Sequence, residues 1–292
     1  MKPPPFHYHA PHTLQDALAI VGEHENTRLL AGGQSLMPML NMRLLFPDHL
    51  VDINRIQELA GIREDRGGIV IGAMTRQRAI EFSPIIRKRL PLLAEAITLV
   101  GHRQTRNRGT IGGSICHLDP SAEQPTVAMA MDATLTVAGQ RGVREIAMRD
   151  FALGLMTTAL GDKEILTSIR IEPWAPGHGW AFVEYARRHG DFAIAAVAVL
   201  LQLDAASKVT RVSLTLGGVC DVPSRLPNAE KQLLGSALTP TDVAKVAAQC
   251  AEIDAQDDPQ VPRWYRRRVA ATLLPRAIAI AAERARAPGG DS

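Results

Sequence analysis

The sequence predicts an α+β protein of two domains. Its 292 residues exceed the length of one average domain, and the proline- and glycine-rich segment "EPWAPGHGW" (172–180) is typical of a domain boundary. After this segment, three strand-like runs precede every helical pattern, which favours an antiparallel sheet with helices on one face. We therefore predict a first domain over residues 1–176 and a second over residues 177–288.

The first domain starts with alternating helix and strand patterns. "TLQDALAIVGEH" (13–24) carries apolar residues on one helical face, and Thr13 can cap this helix. Strands are predicted at "TRLLAG", "HLVDINRI" (49–56) and "GGIVIGAM" (67–74). We expect Thr75 to cap the helix that follows these strands.

The middle of the chain combines a helix, a long loop and strands. "SPIIRKRLPLLAEAITLVGH" (83–102) is predicted to be helical with an interruption at Pro91, because proline lacks the amide proton of a continuous helix. "RQTRNRGTIGGSICHLDPSAEQP" (103–125) is predicted to be a polar loop. A helix at "TVAMAMDA" and strands at "TLTVAG", "VREIAM" and "EILTSIRI" (164–171) complete the domain.

The second domain is predicted to place its strands before its helices. The strand-like runs are "AFVEYARR", "FAIAAVAVLLQL" (192–203) and "VTRVSLTLGGV". "WYRRRVAATLLPRAIAIAAERARA" predicts a final helix that is broken or kinked near Pro275. The last residues, "PGGDS", are predicted to be frayed.

Composition and charge exclude several classes of protein. The net charge is only +3 and the basic residues are scattered, which argues against a nucleic-acid-binding protein. The longest apolar run (192–203) is too short to span a bilayer, which requires about 20 residues. The start "MKPPPFHYHAPH" lacks the apolar region of a signal peptide, so a cytoplasmic location is expected.

Cysteine and histidine spacing predicts no metal site in this chain. Three cysteines, Cys116, Cys220 and Cys250, lie far apart and form no CxxC motif. An iron–sulfur cluster normally requires four cysteine ligands, so any such cluster must belong to another chain. Three histidines near the start, His7, His9 and His12, have no cysteine or carboxylate partner in sequence and are predicted to face solvent.

Two glycine pairs indicate an anion-binding site. "AGGQS" and "IGGS" each place two glycines after an apolar residue and before a serine. Glycine permits a positive φ and leaves room for a ligand, so consecutive backbone N–H groups can converge on one anion. Two such segments facing each other would suit a diphosphate, with Ser35, Thr110 and Ser114 as further hydroxyl donors. No GxGxxG or GxxxxGK[ST] motif is present, which excludes the common dinucleotide and P-loop sites.

Six motifs resemble one known family. They are, in order, "LLAGGQSLMPMLNMRL", "HLVDINRI", "IGAMT", "RNRGTIGGSICHLDPSAEQP", "GDKEILTSIRI" and "EYARRHGDFAIAAVA". Together they resemble the FAD-binding medium subunit of the molybdenum hydroxylases, the group that includes aerobic carbon monoxide dehydrogenase, quinoline oxidoreductase and xanthine dehydrogenase. The resemblance implies a PCMH-type FAD-binding domain, similar to vanillyl-alcohol oxidase and built of two α/β subdomains, followed by an α+β C-terminal domain.

The resemblance also implies which residues bind FAD. Both glycine segments would hold the cofactor's pyrophosphate, through Ala31, Gly32, Gly33, Gln34, Ser35, Leu36, Thr110, Ile111, Gly112, Gly113 and Ser114. Asp119 matches an acidic position near the adenosine, although a turn-forming role before Pro120 remains an alternative. Leu166 and Phe192 match positions on the isoalloxazine ring, where a phenyl ring can stack but supplies no hydroxyl. Arg103, Arg106 and Arg108 could either neutralise the pyrophosphate or line a subunit contact.

The implied function is electron transfer. By resemblance, substrate is hydroxylated at a molybdenum cofactor on a large subunit, and electrons reach this chain's FAD through two [2Fe–2S] clusters on a small subunit, in a dimer of heterotrimers. No catalytic residue is assigned to this chain, and an N-heteroaromatic substrate is expected for the complex. Two alternatives remain: a self-sufficient FAD oxidase of the vanillyl-alcohol-oxidase fold, and a non-enzymatic module without cofactor.

Overall fold

The structure is a computed structural model that describes residues 2–286. The predicted frayed end "PGGDS" and the predicted end of the second domain at 288 lie outside these residues. The chain begins with a small parallel sheet of strand order β1-β3-β2. Its elements are β1 (His7–His9), α1 (Leu14–Glu23), β2 (Thr27–Leu30), α2 (Leu36–Asn41) and β3 (His49–Asp52).

Local sequence accounts for this first unit. Thr13 caps α1 by accepting a hydrogen bond from the Asp16 amide at 3.1 Å, as predicted. The buried face of α1 carries Ala17 and Val21, which pack against Val51 of β3. A short 3₁₀ helix, Ile53–Arg55, continues directly from β3, so the predicted strand at 49–56 is correct only in its first half.

A five-stranded antiparallel sheet follows, with strand order β4-β5-β10-β6-β7. Its strands are β4 (Ile62–Asp65), β5 (Gly68–Gly72), β6 (Thr134–Gly139), β7 (Gly142–Ala147) and β10 (Glu164–Ile171). A separate hairpin pairs β8 (Ala152–Gly154) with β9 (Thr157–Thr158). The β-branched run "EILTSIRI" forms β10 over its predicted length and lies at the centre of the sheet.

Seven short helices connect these strands. They are α3 (Gln77–Phe82), α4 (Pro84–Arg89), α5 (Pro91–Ala96), α6 (Arg103–Arg108), α7 (Ile111–His117), α8 (Glu123–Ala130) and α9 (Met148–Phe151). The interruption predicted at Pro91 is present, because α5 begins there after a break at Leu90. The polar loop predicted over 103–125 is wrong, because most of that segment forms α6 and α7 and the start of α8.

Thr75 does not cap the helix after it. Arg76 occupies the cap position of α3 and makes no side-chain cap hydrogen bond. The Thr75 hydroxyl instead accepts from the Gly61 amide at 2.9 Å and donates to the Gly61 carbonyl at 3.0 Å. This buried threonine therefore ties the end of β5 to the turn before β4, and its own hydroxyl is satisfied by Gly61.

The second half of the chain is an antiparallel sheet with helices on one face, as predicted. The sheet has the order β11-β12-β13-β14. Its strands and helices are β11 (Gly179–Tyr185), β12 (Ala195–Leu203), β13 (Val209–Gly217), β14 (Ser224–Arg225), α10 (Pro227–Leu233), α11 (Pro240–Ala248) and α12 (Arg263–Arg286). Residues 172–178 connect β10 to β11 without forming a helix or strand.

Strand β12 is buried on both faces, which explains its continuous apolar sequence. Val197 and Val199 point towards the helices, whereas Ala198 and Leu200 pack into the core of the preceding domain. A strand with one solvated face would alternate between apolar and polar residues. The two halves of the chain therefore share a core through this sheet.

Helix α12 runs through Pro275 as one helix, so it is not broken there, and of the two predicted outcomes only the kink stays a prediction. Leu273 and Leu274 before the proline and Ala277 and Ile278 after it are all buried in the same core. This packing offsets the single backbone hydrogen bond that proline cannot donate.

An ion pair joins α12 to the first domain. Glu95 of α5 accepts from the Phe182 amide at 2.9 Å and from the Arg284 guanidinium at 2.5 Å. Arg284 also donates to the Trp180 carbonyl at 2.8 Å. One carboxylate thus links α5, β11 and α12, and both of its oxygens are used.

Within residues 2–286, no helix combines the length and the apolar character that crossing a membrane requires.

Helix α12 lies so close to β11 that only glycine fits at the start of the strand. A Cβ added at Gly179 would lie 1.7 Å from the Ala281 carbonyl oxygen. We predict that Gly179→Ala lowers the free energy of unfolding by about 1–3 kcal/mol, because the backbone of helix or strand must move. Gly154→Ala is the control, since its Cβ would meet no atom within 4 Å. Equal denaturant midpoints for the two variants would contradict this account of the contact.

A buried carboxyl gives a second, pH-dependent prediction. Glu123 at the start of α8 is only 7% exposed, and burial raises its pKa to about 8, with a smaller contribution from the nearby Glu184. The folded protein therefore binds more protons than the unfolded chain between the ordinary glutamate pKa of 4.5 and about 8, and its free energy of unfolding falls as the pH rises through this window.

We expect Glu123→Gln, which cannot ionise, to stabilise the protein relative to the unsubstituted chain by more at pH 8 than at pH 5, by an amount on the order of a few kcal/mol. Chemical denaturation of both proteins at the two pH values measures this difference. A difference that stays constant with pH would show that Glu123 ionises normally in the folded state.

Candidate functional site

The two glycine segments touch each other in the folded chain. A Cβ added at Gly32 would lie 2.3 Å from the Arg108 carbonyl oxygen and 2.7 Å from the Gly109 Cα. From the other side, a Cβ at Gly113 would lie 3.6 Å from the Cβ of Ala31. The structure thus brings together the residues that the sequence placed about 80 positions apart, and Gly32 is required for that approach.

Two side chains that sequence reasoning missed hold this contact in place. The Asn54 amide donates to the Ala31 carbonyl at 2.8 Å. Arg76 donates to the Asn54 amide oxygen at 2.7 Å and to the Arg108 carbonyl at 2.5 Å. Burial, and then the neighbouring Arg108, lower the pKa of Arg76, but a guanidinium remains charged at neutral pH. Asn54 lies in the "HLVDINRI" motif, so the motif gave a signal, whereas nothing in the sequence singled out Arg76.

The first glycine segment leaves its backbone donors free. Gly33 has a φ of +71°, which turns the chain sharply between β2 and α2. Among the described residues, the amides of Gly32, Gly33, Gln34 and Ser35 have no acceptor, and the Ser35 hydroxyl makes no hydrogen bond. The Gln34 side chain donates to the Gly32 carbonyl at 3.1 Å, and Leu36 begins α2. Four consecutive amides without partners provide a set of donors of the kind that can bind an anion.

The second glycine segment differs from what the sequence predicted. It is the first turn of α7, and its amides already have acceptors within the protein. Ile111 donates to the Thr75 carbonyl, Gly112 to the Ala73 carbonyl and Gly113 to the Thr110 hydroxyl. The prediction that consecutive amides of this pair converge on an anion is therefore wrong. The polar groups that this segment leaves unpaired within the described residues are the Thr110 amide and the Ser114 hydroxyl.

Gly112 is needed for packing. A Cβ there would lie 2.6 Å from both the Cβ and the carbonyl oxygen of Ala73. The glycine lets α7 lie directly on the end of β5, and this places Thr110 and Ser114 beside the first segment.

Asp119 forms a turn, which was the alternative left open. Its carboxylate accepts from the Ser121 amide at 2.9 Å, across Pro120. The other carboxylate oxygen has no partner among the described residues. Asp119 follows Leu118, which ends α7 in the left-handed conformation. Asp119 and Thr110 therefore lie at opposite ends of α7.

The two predicted ring contacts differ in exposure. Leu166 is 3% exposed and lies in the main core beside the irregularity of β10, so it offers little surface to a ligand. Phe192 is 65% exposed, on the connection between β11 and β12. That connection reaches the start of α6, since a Cβ at Gly190 would lie 2.6 Å from the His102 ring.

The three arginines of α6 have separate roles. Arg106 is an internal anchor: its guanidinium pairs with Glu81 at 3.0 Å and donates to the Val100 carbonyl at 3.0 Å, with 11% of its side chain exposed. A side chain this buried fits neither of the two roles considered for Arg106, which were to neutralise the pyrophosphate and to line a subunit contact. Arg103 and Arg108 are exposed, so both roles remain open for them.

The Cys116 thiol beside this site is protonated and unreactive at neutral pH. Burial raises the pKa of Cys116 on α7 to about 12, so the thiol carries no thiolate at neutral pH. The three cysteines are unpaired, as the sequence indicated.

These features fit the diphosphate of a dinucleotide. The first segment supplies free amides and a hydroxyl, the second supplies one amide and the Ser114 hydroxyl, and Arg76 and Arg108 add positive charge nearby. A run of free donors beside two guanidinium groups suits a group with two negative charges.

Comparison with known proteins agrees with this reading. Residues 4–174 match the family described as FAD binding domain in molybdopterin dehydrogenase, and residues 180–281 match the CO dehydrogenase flavoprotein C-terminal domain. The carbon monoxide dehydrogenase medium chain of Hydrogenophaga pseudoflava is 39% identical over 95% of this chain and 97% of its own length.

Two further similarities cover the whole fold. The 6-hydroxypseudooxynicotine dehydrogenase complex subunit alpha of Paenarthrobacter nicotinovorans is 37% identical over 98% of this chain and 97% of its own. The structure of quinoline 2-oxidoreductase from Pseudomonas putida 86 superposes with a TM-score of 0.93 at 33% identity, covering 98% of this chain and 99% of the other. The chain therefore belongs to the family of FAD-binding medium subunits of the molybdenum hydroxylases.

Proposed function

We propose that this chain carries one non-covalent FAD between its two glycine segments and passes electrons from [2Fe–2S] clusters on a partner subunit to a terminal acceptor. The observation that carries the proposal is the run of free amides at 32–35, held against Arg108 and Gly109 by Asn54 and Arg76. Flavin can accept electrons one at a time from carriers such as [2Fe–2S] clusters and release two together, and this is the redox chemistry that the cofactor would supply when bound. The chain's own residues bind and orient it.

Each predicted site residue has a place in this proposal. The pyrophosphate would lie on the amides from Gly32 to Ser35 and on Thr110 and Ser114, with Ala31 and Leu36 bounding the first segment. Ile111, Gly112 and Gly113 would support it from beneath, because their own amides are bonded internally. Asp119 would accept ribose hydroxyls through its free oxygen, and Phe192 would stack on the isoalloxazine. Leu166 would reach the ring only through its small exposed fraction.

The partners in the proposal are a large subunit with a molybdenum cofactor and a small subunit with two [2Fe–2S] clusters, arranged as a dimer of heterotrimers. The full-length matches support this, since the relatives are named a medium chain and a subunit of a complex. The same matches favour the relay over the self-sufficient oxidase. The three scattered cysteines agree with clusters on another chain, because a [2Fe–2S] cluster normally has four cysteine ligands.

An N-heteroaromatic substrate for the complex is part of the same proposal. Quinoline and 6-hydroxypseudooxynicotine both contain an aromatic nitrogen ring, and proteins named for them resemble this chain over nearly its whole length. We also infer domains over 1–176 and 177–288, which the family matches ending at 174 and beginning at 180 support. A cytoplasmic location is consistent with the unpaired cysteines.

The relay predicts that the flavin of the isolated chain is not reduced by substrate. Mixed with quinoline and related N-heteroaromatic compounds, the FAD-loaded chain should keep its oxidised flavin absorbance. In the whole complex the compound that is turned over should bleach the flavin, and removal of the small subunit should abolish the bleaching. Stopped-flow absorbance measures all three. Flavin reduction in the isolated chain at the turnover rate of the complex would replace the relay with the oxidase.

The free amides predict a selective effect of Gly33→Ala on FAD content. Gly67→Ala is the matched control, because both glycines have a positive φ, +71° and +86°, and an alanine costs about 1–2 kcal/mol in that region. We expect FAD per chain, measured by absorbance after gel filtration, to fall several-fold in Gly33→Ala, since relaxing the turn misdirects the amides. Gly67→Ala should retain it. Equal occupancy in the two variants would refute the role of the 32–35 amides.

A further inference from the structure

Three histidines from separate parts of the chain meet on the first sheet. His9 ends β1, His24 is the residue that ends α1, and His49 begins β3. Each offers a ring nitrogen, and these nitrogens all lie within 4.8 Å of one another. All three residues are half-buried, so the prediction that His9 faces solvent is wrong, whereas His7 and His12 are exposed.

The rings are in direct contact. The Nε2 of His9 lies 3.0 Å from the Nδ1 of His49, so one ring donates and the other accepts. The His24 and His49 rings stack with centroids 4.0 Å apart, and His7 stacks on the other side of His49 at 5.2 Å. Imidazoles at this spacing repel one another when protonated, and within residues 2–286 no cysteine or carboxylate joins the three histidines in this group.

The backbone of each histidine is fixed by its neighbours. The His24 amide donates to the Ile20 carbonyl at 3.1 Å, and its own carbonyl accepts from the Thr27 hydroxyl at 3.1 Å. His7 donates its amide to the Asp48 carbonyl at 2.8 Å, which aligns β1 with β3 beside His49. The Asp48 carboxylate accepts a hydrogen bond from the Asn26 side chain at 2.9 Å. The ligand positions are thus held by hydrogen bonds, while each ring can still rotate about its side-chain bonds.

We propose that His9, His24 and His49 form a binding site for a divalent transition-metal ion, with Zn²⁺ as the ion that the chemistry fits. Neutral imidazole is a good ligand for Zn²⁺ and a poor one for Mg²⁺ or Ca²⁺, which take oxygen ligands. A tetrahedral Zn²⁺ with bonds of about 2.0–2.1 Å needs ligand nitrogens about 3.4 Å apart. The present spacing reaches this by small ring rotations that unstack His24 from His49 and separate the His9 and His49 nitrogens slightly.

The fourth position would be open to water or to His7. Three protein nitrogens plus one exchangeable ligand is a common Zn²⁺ arrangement. The ion would join β1, the end of α1 and β3, adding a bond between the helix and the small parallel sheet on which it packs. It therefore would stabilise the start of the chain, as any ligand of the folded state does. This site does not depend on the proposed FAD site.

Isothermal titration of the full chain with zinc sulfate, after treatment with a chelator, tests the proposal. We expect one Zn²⁺ per chain with a Kd in the micromolar range or tighter, and a rise in the midpoint of thermal unfolding. His9→Asn, His24→Asn and His49→Asn should each weaken binding at least about tenfold, as expected for the loss of one of three ligands. His12→Asn is the matched control, because it removes an exposed histidine of the same N-terminal segment and should bind like the unsubstituted chain.

Thermal unfolding in the presence of chelator shows whether each variant folds, so a loss of binding with an unchanged midpoint is a loss of ligand. Magnesium chloride should neither bind nor raise the midpoint. The proposal is overturned if zinc binds no better to the unsubstituted chain than to the triple variant, or if His12→Asn weakens binding as much as the other three. It is also overturned if zinc binds but leaves the unfolding midpoint of the unsubstituted chain at the value found with chelator.

Discussion

The contact between Gly32 and the backbone of Arg108 and Gly109 is the constraint on which the site depends. No side chain fits between these backbones, so two segments with unrelated local structures can lie against each other only at this glycine. Asn54 and Arg76 then hold the arrangement by bonding to the carbonyl groups on both sides. The amides of the first segment, from Gly32 to Ser35, have no acceptor among the described residues.

A second dependence joins the two halves of the chain. The C-terminal sheet covers the first domain with one face and its own helices with the other. Glu95 accepts hydrogen bonds from β11 and from α12, which ties both elements to α5. The connection after β11, which carries Phe192, reaches the start of α6 at Gly190. The proposed FAD site would thus draw residues from both halves, although its glycines lie in the first.

The strands and the protein family could be predicted from the sequence. Features that depend on tertiary contacts could not. The β-branched composition of β10 and the continuous apolar sequence of β12, which is buried on both faces, predict strands directly. The helices α6 and α7 were missed because "RNRGTIGGSICHLDP" is rich in glycine and polar residues, and its helical turns are stabilised by acceptors at Ala73, Thr75 and Thr110. Tertiary packing likewise holds α12 across Pro275. The family motifs indicated both glycine pairs. Only the structure shows that the amides of the second pair, Gly112 and Gly113, donate to acceptors within the protein.

This difference between the glycine pairs has a consequence for how water leaves the site. The amides of 111–113 donate to acceptors within the protein, so this wall of the proposed site has no water to release from them. The amides of 32–35 must be solvated in the empty protein, and each exchanges a water molecule for a ligand oxygen. The 111–113 segment therefore contributes shape at little entropic cost. The 32–35 segment contributes hydrogen bonds, and the free energy that they add to binding is reduced by the loss of water from the amides.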